Sequence, residues 1–114
     1  MKTVEELPLV DKDRQAVAAA VKLLREQFPI DKAILFGSKA TGTDTAESDI
    51  DILFTTRRSL SWQERDIIID ALFDIELTHD VVISALVVPQ SEWEEGRYTI
   101  LPIHSEIERT GAVA

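Results

Sequence analysis

Cysteine is absent from this chain of 114 residues, which excludes disulfide bonds and thiolate metal sites. Long apolar stretches are absent as well, since no run approaches the roughly 20 residues that a membrane-spanning helix needs. The segment from Met1 to Glu6 lacks the apolar centre of a secretory signal peptide. No internal repeat or low-complexity tract is present. These absences lead us to expect a cytoplasmic protein that has no membrane partner.

Basic residues are scarce. The chain has 12 Lys and Arg against 21 Asp and Glu, and residues 41–114 hold 15 of these acids but only five of the basic residues. Such a surface repels a phosphate backbone, and no cluster of Lys and Arg with interleaved aromatic residues offsets the repulsion. We therefore do not expect long nucleic acid as a substrate. The surplus acid is compatible with a basic protein partner and equally with a simple role in solubility.

The length and composition are those of one globular domain. A chain of 114 residues with 45% hydrophobic and 29% charged residues can bury a core but is too short for two domains. No stretch has the composition of an interdomain linker. We therefore expect residues 1–114 to form a single domain.

Hydrophobic periodicity predicts alternating helices and strands. Apolar residues at helical spacing indicate an amphipathic helix over residues 11–28, which Asp11 or Asp13 can cap at its start. Strands are predicted at 32–36 and 49–55, and short helices at 38–43, 91–94 and 102–110. Together with a long helix and a strand in the second half of the chain, the order α-β-α-β-α-β-α predicts an α/β fold.

The second half of the chain contains the long helix and the last predicted strand. Ser61 and Glu64 form a capping-box pattern at the start of that helix. Trp62 and Trp93 each follow a serine at or near a helix start, where we expect an aromatic side chain to pack against the core. The nearly continuous apolar run 81–88 predicts a strand that is buried on both faces.

The most informative stretch runs from Gly37 to Asp51. Gly37 and Ser38 follow the apolar run 33–36, and ten residues later Asp49-x-Asp51 opens a second apolar run. Successive side chains of a strand point to opposite faces, so Asp49 and Asp51 share one face. Two neighbouring carboxylates repel each other, and a hard cation such as Mg²⁺, which takes oxygen ligands, removes that penalty. The two aspartates are therefore candidate metal ligands.

The Gly37-Ser38 turn suits the other half of such a site. Glycine lets backbone N–H groups approach a phosphate closely, and the N-terminus of the short predicted helix adds a partial positive charge. Taken alone, Ser38 is equally compatible with an ordinary helix N-cap. For Lys39 we favour a solvated position over a contact with phosphate, and the pair Arg57-Arg58 is compatible with either an ordinary basic loop or a phosphate contact.

The Gly-Ser pair, the ten-residue gap and the Asp-x-Asp together resemble the signature of the nucleotidyltransferase superfamily related to DNA polymerase β. The spacing is complete, since Lys39 to Ser48 are ten residues. Two elements at a fixed separation are more specific than a lone glycine motif, although a strand-turn-strand in an unrelated α/β domain remains the alternative. The resemblance implies a minimal nucleotidyltransferase fold, an α-β-α-β-α-β core with a small mixed sheet and a C-terminal helix.

The resemblance also implies a reaction. Superfamily members move a nucleoside monophosphate from a nucleoside triphosphate to an acceptor hydroxyl, and metal ions stabilise the charge on the phosphates. It implies that Asp49 and Asp51 are the catalytic residues and bind Mg²⁺. It further implies that Gly37 and Ser38 bind the β- and γ-phosphates of the nucleotide, which we expect to be ATP.

One feature departs from the superfamily pattern. Active members usually carry a third carboxylate on the strand after the long helix, where it completes the metal cluster and can act as a base. The corresponding run 81–88 contains no acid, and Ser84 occupies the polar position. Asp80 or Glu76 are candidate replacements, although both are more simply interpreted as surface acids.

The size of the chain leaves no room for a second domain that would hold an acceptor, so we expect a protein to supply it. The resemblance implies an antitoxin that neutralises a small helical ribonuclease toxin of the HEPN type by transferring AMP to it, in a homo- or hetero-oligomer. The alternative is a catalytically weak or inactive module with this fold that neutralises its partner by binding alone. A transferase for small molecules is the third and weakest hypothesis.

Overall fold

A computed structural model describes all 114 residues. The five helices are α1 (Asp11–Gln27), α2 (Ser38–Thr41), α3 (Trp62–His79), α4 (Gln90–Glu94) and α5 (Pro102–Thr110). The five strands are β1 (Lys2–Thr3), β2 (Ile30–Phe36), β3 (Ile50–Thr56), β4 (Ile83–Pro89) and β5 (Ala112–Val113). Short 3₁₀ turns follow β1 and α4, at Val4–Glu6 and Arg97–Ile100.

The strands form one mixed sheet in the order β1-β5-β2-β3-β4. Strands β2 and β3 are antiparallel, whereas β3 and β4 are parallel and are joined by the long helix α3. A parallel pair needs such a crossover because its second strand must start at the same edge as the first. The starts of β3 and β4 therefore lie side by side at one edge of the sheet.

Each face of the sheet has its own core. On one face, Ile50, Ile52 and Phe54 of β3 pack with the apolar sides of α1 and α3. On the other face, Leu53 of β3 packs with Trp93 of α4 and with α5. The alternation follows from the two-residue period of a strand. It places Asp51, two residues before Leu53, on the α4–α5 face of the sheet.

The expected α/β architecture is confirmed, and the predicted helices and main strands are present within a few residues of their predicted bounds. The prediction that run 81–88 forms a strand buried on both faces is wrong. Strand β4 has only β3 as a neighbour, and its Ser84 and Ala85 are exposed. A run of apolar β-branched residues fits both a central strand and an edge strand. Which of the two it forms depends on how many other strands pair with it, and the run itself carries no information on that.

The start of α3 has the predicted capping box. The backbone N–H of Glu64 donates to Ser61 Oγ over 3.1 Å, and the backbone N–H of Ser61 donates to Glu64 Oε1 over 2.9 Å. The prediction for Trp62 is wrong, since its side chain is 82% exposed, whereas Trp93 is buried as predicted. Helix α3 turns a different side, that of Ile68, towards the core. None of the helices combines the length and the apolar character needed to cross a bilayer.

Candidate nucleotide and metal site

The two halves of the Gly-Ser and Asp-x-Asp motif meet in space. Gly37 follows β2 and has φ 73° and ψ −157°, a conformation that is open almost only to glycine. A Cβ atom built on Gly37 would collide with the carboxylate oxygen Oδ2 of Asp51. The lack of a side chain at position 37 therefore lets the turn lie directly against the second aspartate.

Ser38 is the first residue of α2, and Gly37 holds the N-cap position. The N-cap interpretation of Ser38 is therefore wrong. Its side chain is half-buried, and its hydroxyl has no protein hydrogen-bond partner. At the start of a helix the backbone N–H groups lack intrahelical acceptors, so this turn presents donors beside Asp51.

Asp49 and Asp51 lie at the start of β3. Asp51 is paired with Phe36 at the end of β2, while Asp49 lies one residue before the strand and is exposed. Partial burial, and then the negative charge of Asp49, raise the pKa of the Asp51 carboxyl above its usual range. Because the charge of Asp49 contributes to this shift of the Asp51 pKa, the two carboxylates repel each other, and a divalent cation between them would relieve the repulsion.

Ser84 is the polar residue of the strand on which the superfamily pattern leads us to expect a third carboxylate. In the parallel ladder Ser84 of β4 lies directly opposite Asp51. Glu76 instead accepts a hydrogen bond of 3.0 Å from the backbone N–H of Ile83, and Asp80 ends α3 in a left-handed conformation. No three His, Asp or Glu side chains converge as a metal site. The donor set therefore consists of two carboxylates, which suits Mg²⁺ that keeps water and phosphate oxygens as its other ligands.

Lys39 is buried, contrary to the prediction of a solvated side chain. Its Nζ lies 2.8 Å from Asp13 Oδ2 of α1 and 3.4 Å from Asp44 Oδ2, and the residue is 6% exposed. Burial by itself lowers the pKa of the Lys39 ammonium, but the hydrogen bond and the charge of Asp13, aided by Asp44, outweigh it and raise the pKa. The three residues tie α1, α2 and the loop before β3 together behind the Gly-Ser turn.

Asp13 was a candidate cap for α1, and that prediction is also wrong. The N-cap of α1 is Val10, which makes no side-chain cap bond, and Asp13 is turned inwards to Lys39. The sequence does not predict this ion pair, since its members are 26 positions apart and no local pattern links them. Asp13 and Lys39 are thus the residues behind the site whose contact the sequence did not predict.

Arg57 and Arg58 lie away from the aspartates. They follow the end of β3, a seven-residue strand, whereas Asp49 and Asp51 are at its start. Arg58 donates two hydrogen bonds, of 2.9 and 2.8 Å, to the carboxylate of Glu64. Those bonds, together with the backbone N–H of Ser61, lower the pKa of Glu64 to about 2. The ion pair of Arg58 and Glu64 thus belongs to the start of α3 and not to the Gly37-Ser38 turn.

Residues 19–109 match the family model described as "Polymerase beta, Nucleotidyltransferase". The chain belongs to this nucleotidyltransferase family. The match includes both halves of the motif, so the family that the motif indicated is confirmed. No functionally curated protein matches this nucleotidyltransferase.

Solved structures share its fold. A chain of a toxin–antitoxin complex with AMP-PNP is 19% identical, with a TM-score of 0.61, over 85% of this chain and 70% of that one. A candidate nucleotidyltransferase from Sulfolobus solfataricus is 16% identical, with a TM-score of 0.53, over 93% and 88%. A chain from the complex of a tri-AMPylated Shewanella oneidensis HEPN toxin with its MNT antitoxin is 16% identical, with a TM-score of 0.54, over 89% and 70%. The minimal nucleotidyltransferase fold is therefore confirmed.

Proposed function

We propose that this nucleotidyltransferase transfers AMP from ATP to a protein partner and acts as the antitoxin of a HEPN-type toxin. The observation that carries the proposal is the contact between the two motif halves, in which Gly37 lies against Asp51 at the edge of the sheet. Residues 1–114 act in it as one catalytic domain. Since no helix spans a membrane, we assign the protein to the cytoplasm.

Each site residue has a role in this proposal. Asp49 and Asp51 hold Mg²⁺, which supplies positive charge to the triphosphate and to the pyrophosphate that leaves. The N–H groups at Gly37 and Ser38 and the Ser38 hydroxyl hold the β- and γ-phosphates. The acceptor hydroxyl oxygen bonds to the α-phosphorus, the bond to pyrophosphate breaks, and the proton goes to water because Ser84 is no base. Catalysis of this kind relies on positioning and electrostatics.

A protein acceptor is supported by two features. Two structures with this fold are toxin–antitoxin complexes, one with AMP-PNP and one with an AMPylated HEPN toxin. The net charge of −9 favours a partner with basic residues.

The proposal predicts that a gene for a HEPN-type protein lies beside the gene of this chain, and its product is called the cognate protein below. The test uses ATP labelled at the α-phosphate, Mg²⁺ and this cognate protein. We expect label on the cognate protein with the wild-type chain and none with Asp49→Ala or Asp51→Ala. Ile100→Ala is the matched control, because Ile100 is exposed and lies in the 3₁₀ turn before α5. Label that persists in both aspartate variants contradicts the assigned roles.

Ser84 favours a second candidate function, that of a module which neutralises the cognate protein by binding alone. With two carboxylates instead of three, metal and nucleotide can be bound while turnover is slow. This function predicts tight binding of the cognate protein without label transfer, and binding that is unchanged in Asp49→Ala and Asp51→Ala. The same labelling experiment therefore separates the two.

A further inference from the structure

Helix α3 has an apolar stripe that the fold leaves uncovered. Trp62, Ile69, Phe73 and Leu77 are 82%, 63%, 56% and 67% exposed. Steps of seven, four and four residues place the four side chains on one side of the helix. Single exposed apolar residues are ordinary, but a continuous row of large ones marks a surface that contacts another molecule.

The stripe borders a groove against strand β4. Trp62 and Ile69 line this groove from the helix, and Ala85 and Val87 line it from the strand. The far edge of β4 has no neighbouring strand, and its seven residues include no charge and no register shift. Natural sheets protect open edges with charges, bulges or prolines, and β4 has a proline only at its last position, Pro89. An open edge takes up an added strand, whereas the mostly apolar groove between α3 and β4 suits the apolar face of an incoming helix.

The charges around the groove indicate what kind of partner can bind there. Asp66, Asp70 and Asp74 are exposed on the same helix, and Arg65 is the one basic residue of α3. Two copies of this chain packed through α3 would bring two rows of aspartates together, which disfavours a homodimer. A partner helix with apolar residues every three to four positions and Lys or Arg at its flanks complements the surface.

The groove leads to the edge that carries the aspartates. Helix α3 ends at His79, and β4 starts four residues later beside the start of β3. The backbone N–H of Ile50, between Asp49 and Asp51, donates to the carbonyl of Val82 over 2.8 Å. A chain that lies along α3 and β4 therefore has one end at the edge of the sheet where β3 starts with Asp51.

We propose that the α3 stripe and the groove between α3 and β4 form the docking surface for the protein acceptor, through a basic-flanked amphipathic helix of that partner. This inference rests on the proposed function, because it assigns the surface that presents the acceptor to the site. The stripe residues hold the partner and do not touch the nucleotide, so Phe73 and Leu77 are positioning residues.

The test compares Phe73→Asp and Leu77→Asp with the control Ile100→Asp, an exposed apolar position in the 3₁₀ turn between α4 and α5. Circular dichroism verifies the fold of each variant, and calorimetry measures the affinity for the cognate protein. We expect roughly tenfold or greater loss of affinity in the two stripe variants, the effect of a central contact residue. The affinity of the control for the cognate protein remains unchanged, and so does the affinity of every variant for Mg²⁺·AMP-PNP.

A second set of variants tests the charge argument. Asp70→Asn combined with Asp74→Asn slows association at low salt and weakens its dependence on salt, as expected for charges at the rim of an interface. Unchanged affinity in Phe73→Asp and Leu77→Asp overturns the docking surface but leaves the proposed function standing. A wild-type homodimer that Phe73→Asp dissociates also overturns it, because the occupant is then a second copy. If the wild-type chain neither binds nor labels the cognate protein, both proposals fail.

Discussion

Asp51 of β3 and Ser84 of β4 lie directly opposite each other in the parallel ladder. A side chain at position 84 stands on the same face as Asp51, beside the turn that contains Gly37. In the superfamily pattern this neighbour is a carboxylate. From this register we predict that position 84 is where a third metal ligand is missing.

Ser84→Asp restores that ligand. We expect tighter binding of Mg²⁺ and Mn²⁺ by roughly tenfold or more, the scale on which single groups around a metal site act, and faster label transfer to the cognate protein. Because a third carboxylate increases the repulsion at the site, the metal-free variant has a lower Tm than the wild type. Titration calorimetry with Mn²⁺ measures the first effect, and Ala85→Asp, whose side chain faces the α3 side of the sheet, is the control. Equal metal affinity in Ser84→Asp and wild type contradicts this placement.

Gly37→Ala tests the close approach of the turn to Asp51. The backbone conformation at position 37 costs an alanine about 1–3 kcal/mol, and the new Cβ collides with the Asp51 carboxylate in addition. We expect a lower free energy of unfolding and loss of Mg²⁺·AMP-PNP binding. Gly42→Ala is the matched control, since Gly42 also has a positive φ, of 77°, but no atom lies within 4 Å of an added Cβ. Retained nucleotide binding in Gly37→Ala would refute the close approach.

The buried ion pair of Asp13 and Lys39 predicts strongly non-additive substitutions. Lys39→Met leaves the Asp13 carboxylate buried without its partner, which costs about 3–5 kcal/mol. The double variant Asp13→Leu/Lys39→Met removes both charges, so we expect it to recover most of that loss. Urea unfolding of the wild type, both single variants and the double variant measures the coupling. Additive losses contradict a paired, buried role for Lys39.

Asp51→Asn separates metal binding from stability. The folded-state pKa of Asp51 is raised above its ordinary value of 3.8 by burial and by Asp49. An ionised Asp51 therefore disfavours the folded state, a penalty that is fully present above the folded pKa and disappears as the pH falls below 3.8. At neutral pH without metal we expect a small increase of Tm in Asp51→Asn, which fades as the pH falls towards that value.

The variant Asp51→Asn also tests whether Asp51 is a metal ligand, through the effect of Mg²⁺ on Tm. Mg²⁺ binds the folded state and raises the Tm of the wild type by linkage, whereas Asp51→Asn gains little or nothing. Differential scanning calorimetry in Mg²⁺ and in EDTA provides the comparison. An equal metal-dependent shift in both proteins shows that Asp51 is not a ligand.

Much of the fold could be predicted because its signals are local. The capping box of Ser61 and Glu64 and the period of α1 lie within a few positions of the sequence, and the structure confirms both. Strands β1 and β5 have two residues each, too few to show a period, and they are defined by their pairing, β1 with β5 and β5 with β2. Their pairing brings the two ends of the described chain together.

The candidate site likewise has one part that the sequence predicts and another that it does not. The neighbourhood of Gly37 and Asp51 follows from one spacing within one segment, so the sequence predicted it. The partnership of Asp13 and Lys39 depends on how α1 packs against α2, and the exposure of Trp62 depends on which side of α3 meets the sheet. Such features arise from tertiary packing, for which a single sequence carries no local pattern.

The central claim is that Gly37, Ser38, Asp49 and Asp51 form one site for a metal-bound triphosphate. Calorimetric titration of the purified chain with AMP-PNP, in Mg²⁺ and in EDTA, tests it most directly. The account predicts saturable binding at one site in Mg²⁺, its loss in EDTA, and its loss in Asp49→Ala and Asp51→Ala. Binding that is absent in the wild type, or unchanged by EDTA and by both substitutions, would contradict it.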